Sequence, residues 1–261
     1  MGIYLNPGND LFAQALSSEI YVDKSMLIRL TNERLNSNDR HICISRPRRF
    51  GKSMAANMLV AYYSRNCDSK ELFSSLAIAD TLDFEDHLNK YYVIHLDMTR
   101  FASKAPDVKG MIDRLELTLK QELSELCADI SYPDFYSSDE ILTLIYNKYR
   151  IPFVFIIDEW DCVFRIHKND IEGQTAYLDY LKILLKDRPY VALDYATGIL
   201  PVKKYGQHSA LNMYCEYSII DAEPFAEYMG FTESEVQGLC RRFDMPFDEM
   251  KGWYNGYHVG D

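Results

Sequence analysis

The stretch His41-Ile42-Cys43-Ile44-Ser45-Arg46-Pro47-Arg48-Arg49-Phe50-Gly51-Lys52-Ser53 decides how this chain is read. An apolar run ends at Ile44, a basic loop follows, and beyond it Met54, Met58, Leu59 and Tyr62 recur on one helical face. Strand, loop, Gly-Lys-Ser and helix is the order that a phosphate-binding loop needs. Unpaired amides at the helix start face the anion, Lys52 reaches the β- and γ-phosphates, and Ser53 Oγ can ligate Mg²⁺. A bare Gly-Lys-Ser tripeptide arises by chance in roughly one chain in ten of this length, so the context carries the reading. In the pattern G-x-x-x-x-G-K-S the first glycine is replaced by Arg46, and Pro47 steers that residue toward extended conformations. A basic surface loop ahead of a helix is the plain alternative.

Working outward, five short apolar runs alternate with amphipathic segments. The runs are His41 to Ile44, Tyr92 to Leu96, Phe153 to Ile157, Val191 to Ala196 and Tyr217 to Ile220. Between them, Val108, Met111, Ile112, Leu115, Leu119, Leu123 and Leu126 share one helical face, as do Tyr177, Leu178, Leu181, Leu184 and Leu185. This alternation predicts an α/β fold: a parallel five-stranded sheet flanked by helices, with a ligand crevice at the carboxyl ends of the strands. Ser25 to Leu35 reads as a helix and Glu19 to Val22 as an extended stretch. After the fifth strand, Thr232-Glu233-Ser234-Glu235 is a capping box ahead of Val236, Leu239 and Cys240. The expected organisation is one domain over 1–220, including the segment 1–40, and a small helical subdomain over 221–261.

Two further strand ends carry chemistry. Phe153-Val154-Phe155-Ile156-Ile157 delivers Asp158-Glu159 at its carboxyl end, the Walker B arrangement: Asp158 would bind Mg²⁺ and Glu159 would orient and polarise an attacking water. Acidic residues often end buried strands, so this signal gains its force jointly with Gly51-Lys52-Ser53. Tyr195-Ala196-Thr197-Gly198 ends the fourth run, where Thr197 fits a polar sensor of the γ-phosphate or the lytic water, or simply caps a strand before a glycine turn.

Composition narrows the classes. The 261 residues carry 28 Lys+Arg against 39 Asp+Glu, a net charge of −11, which argues against nucleic-acid binding over the whole surface. No apolar run approaches the roughly 20 residues of a membrane span. The start, MGIYLNPGNDLF, lacks a signal-peptide pattern, so a cytoplasmic location is expected. The six cysteines show neither Cys-x-x-Cys nor zinc-like spacing and read as reduced thiols.

The ordered motifs resemble the AAA-ATPase-like family of bacteria and archaea, whose members often carry a C-terminal PD-(D/E)XK nuclease-like domain. The resemblance rests on Tyr21-Val22-Asp23-Lys24-Ser25, on Ser45 to Ser53, on Ile157-Asp158-Glu159-Trp160-Asp161, on Thr197-Gly198-Ile199-Leu200, on Ser209-Ala210-Leu211-Asn212 and on Trp253-Tyr254-Asn255-Gly256-Tyr257. The Arg-Pro-Arg-Arg-Phe-Gly-Lys loop is the family hallmark, which accounts for the missing glycine. Trp160 stands where the family usually has Tyr, and Met213 where a second Asn is common. The resemblance implies a P-loop NTPase fold, ATP and Mg²⁺ as ligands, and a nuclease-like domain or protein as partner. The sequence ends at Asp261 without such a half, so a fragment or an ATPase-only form is expected.

Arg46, Arg48 and Arg49, with Phe50, Gly51, Lys52 and Ser53, form the expected nucleotide site; Ser53 and Asp158 form the metal pair; Glu159, Lys52 and Thr197 form the catalytic set. Residues 40–52 hold Arg40, Arg46, Arg48, Arg49 and Lys52 without an acidic residue, and that contrast calls for an anionic partner. Triphosphate is the economical choice, and nucleic-acid phosphate is the rival. His95 reads as a core histidine, while His208 and His258 lack partners at ligand spacing. The leading expectation is a Mg²⁺-dependent ATPase that acts as a nucleotide switch or motor. The alternative is a regulatory module that holds nucleotide without hydrolysis and gates a nuclease or nucleic-acid partner.

Overall fold

The computed structural model describes residues 2–202 and 211–254. The apolar runs form strands β1 (His41–Ser45), β2 (Tyr92–Asp97), β3 (Phe153–Asp158), β4 (Val191–Gly198) and β5 (Cys215–Tyr217). They pair in the order β2-β3-β4-β1-β5, every pair parallel. Every residue of β1, β3 and β4 is buried, which explains their near-continuous apolar sequences: each faces a helical layer on both sides.

Alternate residues of each strand face opposite layers. Cys43, Phe155 and Ile157 pack against the helices Val108–Leu126, Ser138–Tyr149 and Ile171–Leu185. The first of these starts on Asp107, whose carboxylate accepts the Gly110 N–H at 2.8 Å, and the last on Asp170, which accepts the Gly173 N–H at 2.9 Å. Ile42, Ile44, Ile156 and Tyr195 face the other way, onto the helix Lys52–Tyr63 and the N-terminal helices Asp10–Leu16 and Leu27–Asn32. The helix expected from Ser25 to Leu35 is therefore shorter than its apolar pattern, and no strand forms at Glu19 to Val22.

The fifth strand lies earlier than its apolar run. It covers Cys215–Tyr217, and the chain turns at Ser218, whose hydroxyl accepts the N–H groups of Ile220 and Asp221 at 3.3 Å each. Ile220, 91% exposed, belongs to that turn rather than to the sheet. The Ser-Ile-Ile run misleads because β5 stands at the edge of the sheet among the described residues, so apolar content alone does not set its limits.

Beyond β5 lie a short 3-10 turn, Ala226–Tyr228, and the helices Glu233–Arg242 and Phe247–Tyr254. The capping box read from the sequence forms: Thr232 Oγ1 accepts the Glu235 N–H at 3.3 Å, and Glu235 Oε2 accepts the Thr232 N–H at 2.7 Å. Phe225 and Met229 are buried in the core shared with the helix Lys52–Tyr63, which fastens the start of this C-terminal segment to the sheet.

Candidate functional site

Because β4 is inserted between β1 and β3, the carboxyl ends of three strands meet beside the start of the helix Lys52–Tyr63. Asp158, on β3, is 6% exposed and is the focus of that meeting. Its Oδ2 accepts the Ser53 hydroxyl at 2.5 Å, and its Oδ1 accepts the hydroxyl of Thr197 and, at 3.0 Å, the Glu159 N–H. One carboxylate thus gathers the first turn of the phosphate-loop helix, the polar residue of β4 and the following acidic residue.

The loop over these strand ends is shaped by two left-handed residues, Arg49 at φ 71° and Gly51 at φ 79°. Gly51 is the N-cap of the helix and leaves open space where a Cβ would stand. That conformation suits glycine and leaves the helix amides uncovered. Lys52 runs back under the loop, its ammonium donating to the carbonyls of Arg46 at 3.1 Å and Pro47 at 3.0 Å. Burial depresses the Lys52 pKa, while Glu159, Asp158 and Asp161 pull it back toward the charged form.

A cavity of about 420 Å³ opens beside the loop. Its lining combines Arg48, Arg49, Phe50, Gly51, Lys52, Ser53 and Glu159 with apolar side chains including Phe12, Val22 and Met58. Basic and apolar side chains in one cavity suit a molecule with an anionic part and an apolar part. Asp158 and Thr197 lie behind the lining residue Ser53 through the bond from Ser53 to Asp158 and that from Thr197 to Asp158.

Arg46 is placed differently from the rest of the loop. It is 1% exposed and lies outside the cavity lining; its guanidinium donates to the carbonyls of Ser45 and Tyr217 at 2.9 Å each. The Arg46 N–H donates to the Gly198 carbonyl at 3.0 Å. The residue in the position of the first Walker glycine therefore ties β1 to the ends of β4 and β5.

Two parts of the site carry positions that the motifs alone did not assign. The first is Arg165, on the short helix Cys162–Ile166. It is ion-paired with Glu159, and its Nε donates to Asp161 Oδ2 at 3.1 Å. The same Asp161 oxygen accepts the Ile199 N–H at 3.2 Å and the Leu200 N–H at 3.0 Å, so Asp161, fully buried, links Arg165 to the chain just after Thr197. The four-residue spacing of Asp161 and Arg165 was the available signal. The second is the far wall of the cavity, which comes from Tyr21, Val22 and Lys24 and from Tyr228, Gly230 and Phe231. Asp23 and Lys24 take separate partners: Lys24 joins Glu235, whereas Asp23 accepts the N–H groups of Ser25 and Ala77 at 2.8 and 2.7 Å.

A family model described as a predicted AAA-ATPase matches residues 12–207. The chain belongs to that family. An uncharacterised protein encoded in the vnfD 5′ region of Azotobacter chroococcum mcd 1 is 25% identical over 226 residues, covering 84% of this chain and 42% of the relative. This chain therefore spans under half the length of that protein. Among solved structures, the ORC2 protein of Aeropyrum pernix is 12% identical with a TM-score of 0.40, over 88% of this chain and 54% of that one. PCH-2 of C. elegans is 14% identical with a TM-score of 0.37, over 92% and 48%. As a member of this family the chain carries a P-loop NTPase-like core.

Among the described residues no helix is long and apolar enough to cross a membrane, and no group of three or more His, Cys, Asp or Glu side chains is arranged to hold a metal ion. Lys203, Lys204, His208, Tyr257 and His258 lie outside the described residues, as do the side chains of Trp253 and Tyr254.

Proposed function

We propose that this chain binds a nucleoside triphosphate, most economically ATP, with Mg²⁺, and hydrolyses it. The observation that carries the reading is the position of Asp158, which holds Ser53 on one carboxylate oxygen and Thr197 on the other directly under a cavity lined by Lys52 and Glu159.

Ser53 Oγ and the Asp158 carboxylate are hard oxygen donors held within hydrogen-bond distance of each other, a pair that fits Mg²⁺ when phosphate oxygens and water complete its shell. Bound there, the ion would neutralise charge on the phosphates. Lys52 and the amides after Gly51 bind and orient the phosphate tail; Arg48 and Arg49, both exposed on the cavity side of the loop, add positive charge. Glu159 orients and polarises water at the end of the tail, and Thr197 fixes the carboxylate of Asp158 from below. The segment 221–254 acts as a lid, and its movement against the sheet is the output that a nuclease-like or nucleic-acid partner would read.

Thermal denaturation with and without nucleotide tests the reading: a ligand at about 100 times its Kd adds roughly 2.7 kcal/mol. Lys52→Ala should abolish the shift, whereas Glu159→Gln should keep the shift and stop phosphate release. Equal affinity in wild type and Lys52→Ala would refute it.

A second reading, nucleotide held without turnover, is favoured by one contact. Glu159 is already ion-paired with Arg165, and a carboxylate oxygen so occupied is not free to take and orient a water. Micromolar binding with no phosphate release, with or without DNA, would select it.

A further inference from the structure

The cavity is closed on its far side by two segments remote in sequence. Tyr21, Val22 and Lys24 come from the stretch between the first two helices; Tyr228, Gly230 and Phe231 come from the C-terminal segment. Neither is part of the phosphate loop, and their relative position sets the width of the cavity.

Among the described residues, the ammonium of Lys24 joins them. Lys24 Nζ donates to Glu235 Oε1 at 2.6 Å and Oε2 at 2.7 Å and also to the Glu227 carbonyl. The pair is largely sheltered, with side-chain exposures of 14% for Lys24 and 24% for Glu235. Among the described residues, Glu235 is the one position of the helices Glu233–Arg242 and Phe247–Tyr254 that forms an ion pair or hydrogen bond with the chain before β5. The two acceptors bracket the wall residues: Glu227 precedes Tyr228, Gly230 and Phe231, and Glu235 follows them. Glu235 also closes the capping box with Thr232, so the carboxylate is positioned by its own helix before Lys24 meets it.

We infer that Lys24 is a positioning residue of the nucleotide cavity: by holding Glu227 and Glu235 together it keeps the C-terminal wall closed over bound nucleotide and sets how fast the nucleotide leaves. The inference rests on the nucleotide reading above. It gives the Asp23-Lys24 pair a division of labour, in which Asp23 anchors the strap to the N–H of Ala77 and Lys24 carries the contact to the wall.

The test is the release rate of a fluorescent ATP analogue by stopped flow, joined to hydrogen exchange of the amides of 226–242 in the nucleotide-free protein. Lys24→Met should release nucleotide about three- to tenfold faster, the effect of losing one sheltered ion pair, and should exchange faster over 226–242. Lys24→Arg, which keeps the cation, should restore most of both. Glu235→Gln keeps an oxygen for the Thr232 N–H but loses the charge, so it should match Lys24→Met, and the double variant should add nothing further.

Release and exchange equal to wild type in both Lys24→Met and Glu235→Gln would overturn the inference. So would full additivity in the double variant. If Lys24→Met does not fold, Glu235→Gln alone decides by the same two readouts. Failure of the underlying nucleotide reading looks different: the wild type itself would bind no analogue, while the exchange measurement would still report whether the ion pair holds the wall.

Discussion

The N–H of Gly230 donates to the carbonyl of Phe50 at 2.9 Å, so the C-terminal segment is hydrogen-bonded to the phosphate loop itself. Gly230 makes the bond with φ 81°, and a Cβ built there would stand 3.1 Å from Phe50 Cδ1. Loop and wall are thus coupled through backbone that only glycine adopts without strain.

Gly230→Ala should therefore cost about 1–2 kcal/mol from the left-handed conformation alone. Chemical denaturation would measure the loss. Nucleotide affinity should fall as well, because the methyl pushes on Phe50; an unchanged affinity would show that the loop does not feel the wall.

Gly198→Ala tests the joint between β4 and the Asp158-Glu159-Trp160-Asp161 turn. The added methyl would lie 2.6 Å from Trp160 Nε1 and 2.9 Å from Asp161 Oδ1, both on buried residues with little freedom to withdraw. Overpacking of this kind costs about 1–3 kcal/mol, read as a Tm lower by several degrees. A Tm equal to wild type would mean that the turn is softer than its burial implies.

Arg165→Met removes the cation on Glu159 while keeping an aliphatic stem. Phosphate release should rise about threefold or more, since a carboxylate freed from its ion pair can turn toward the attacking water, with nucleotide Kd almost unchanged. Asp161 loses one of its three partners in the same variant, so a modest fall in stability should accompany the faster turnover. Slower release at equal affinity would instead assign Arg165 to holding Glu159 in its working position.

The pH dependence follows from Lys52. Burial lowers its pKa from the ordinary 10.5, so the folded protein loses this proton before the unfolded chain does. In the window between the two values the unfolded chain binds more protons, and the contribution of Lys52 to stability rises with pH. Phosphate affinity runs the other way, because only the ammonium attracts the anion. Titrations at increasing pH should show affinity falling before pH 10.5 is reached; a flat profile up to that point would contradict the burial effect.

The first four strands are legible because each is a continuous apolar run, a pattern that only a sheet covered on both faces demands. The helix Val108–Leu126 is legible for the complementary reason: Val108, Met111, Leu115, Leu119 and Leu123 repeat at helical spacing and all are buried. Met54 shows the limit of that rule, since it shares the helical face yet is 45% exposed and lines the cavity.

Local chemistry written in adjacent residues was determined by the sequence itself: a glycine before Lys52-Ser53, an acidic pair ending a buried strand, and a capping box at Thr232. Tertiary structure decided what adjacency cannot encode. Arg46 went onto the carbonyl of Tyr217, Arg165 came onto Glu159, and Lys24 reached Glu235 across 211 positions. The physical reason is that a charged side chain takes whichever partner the packed fold brings within a few ångströms, and the strand order, with β4 inserted between β1 and β3, is set by the burial of whole faces rather than by any one motif.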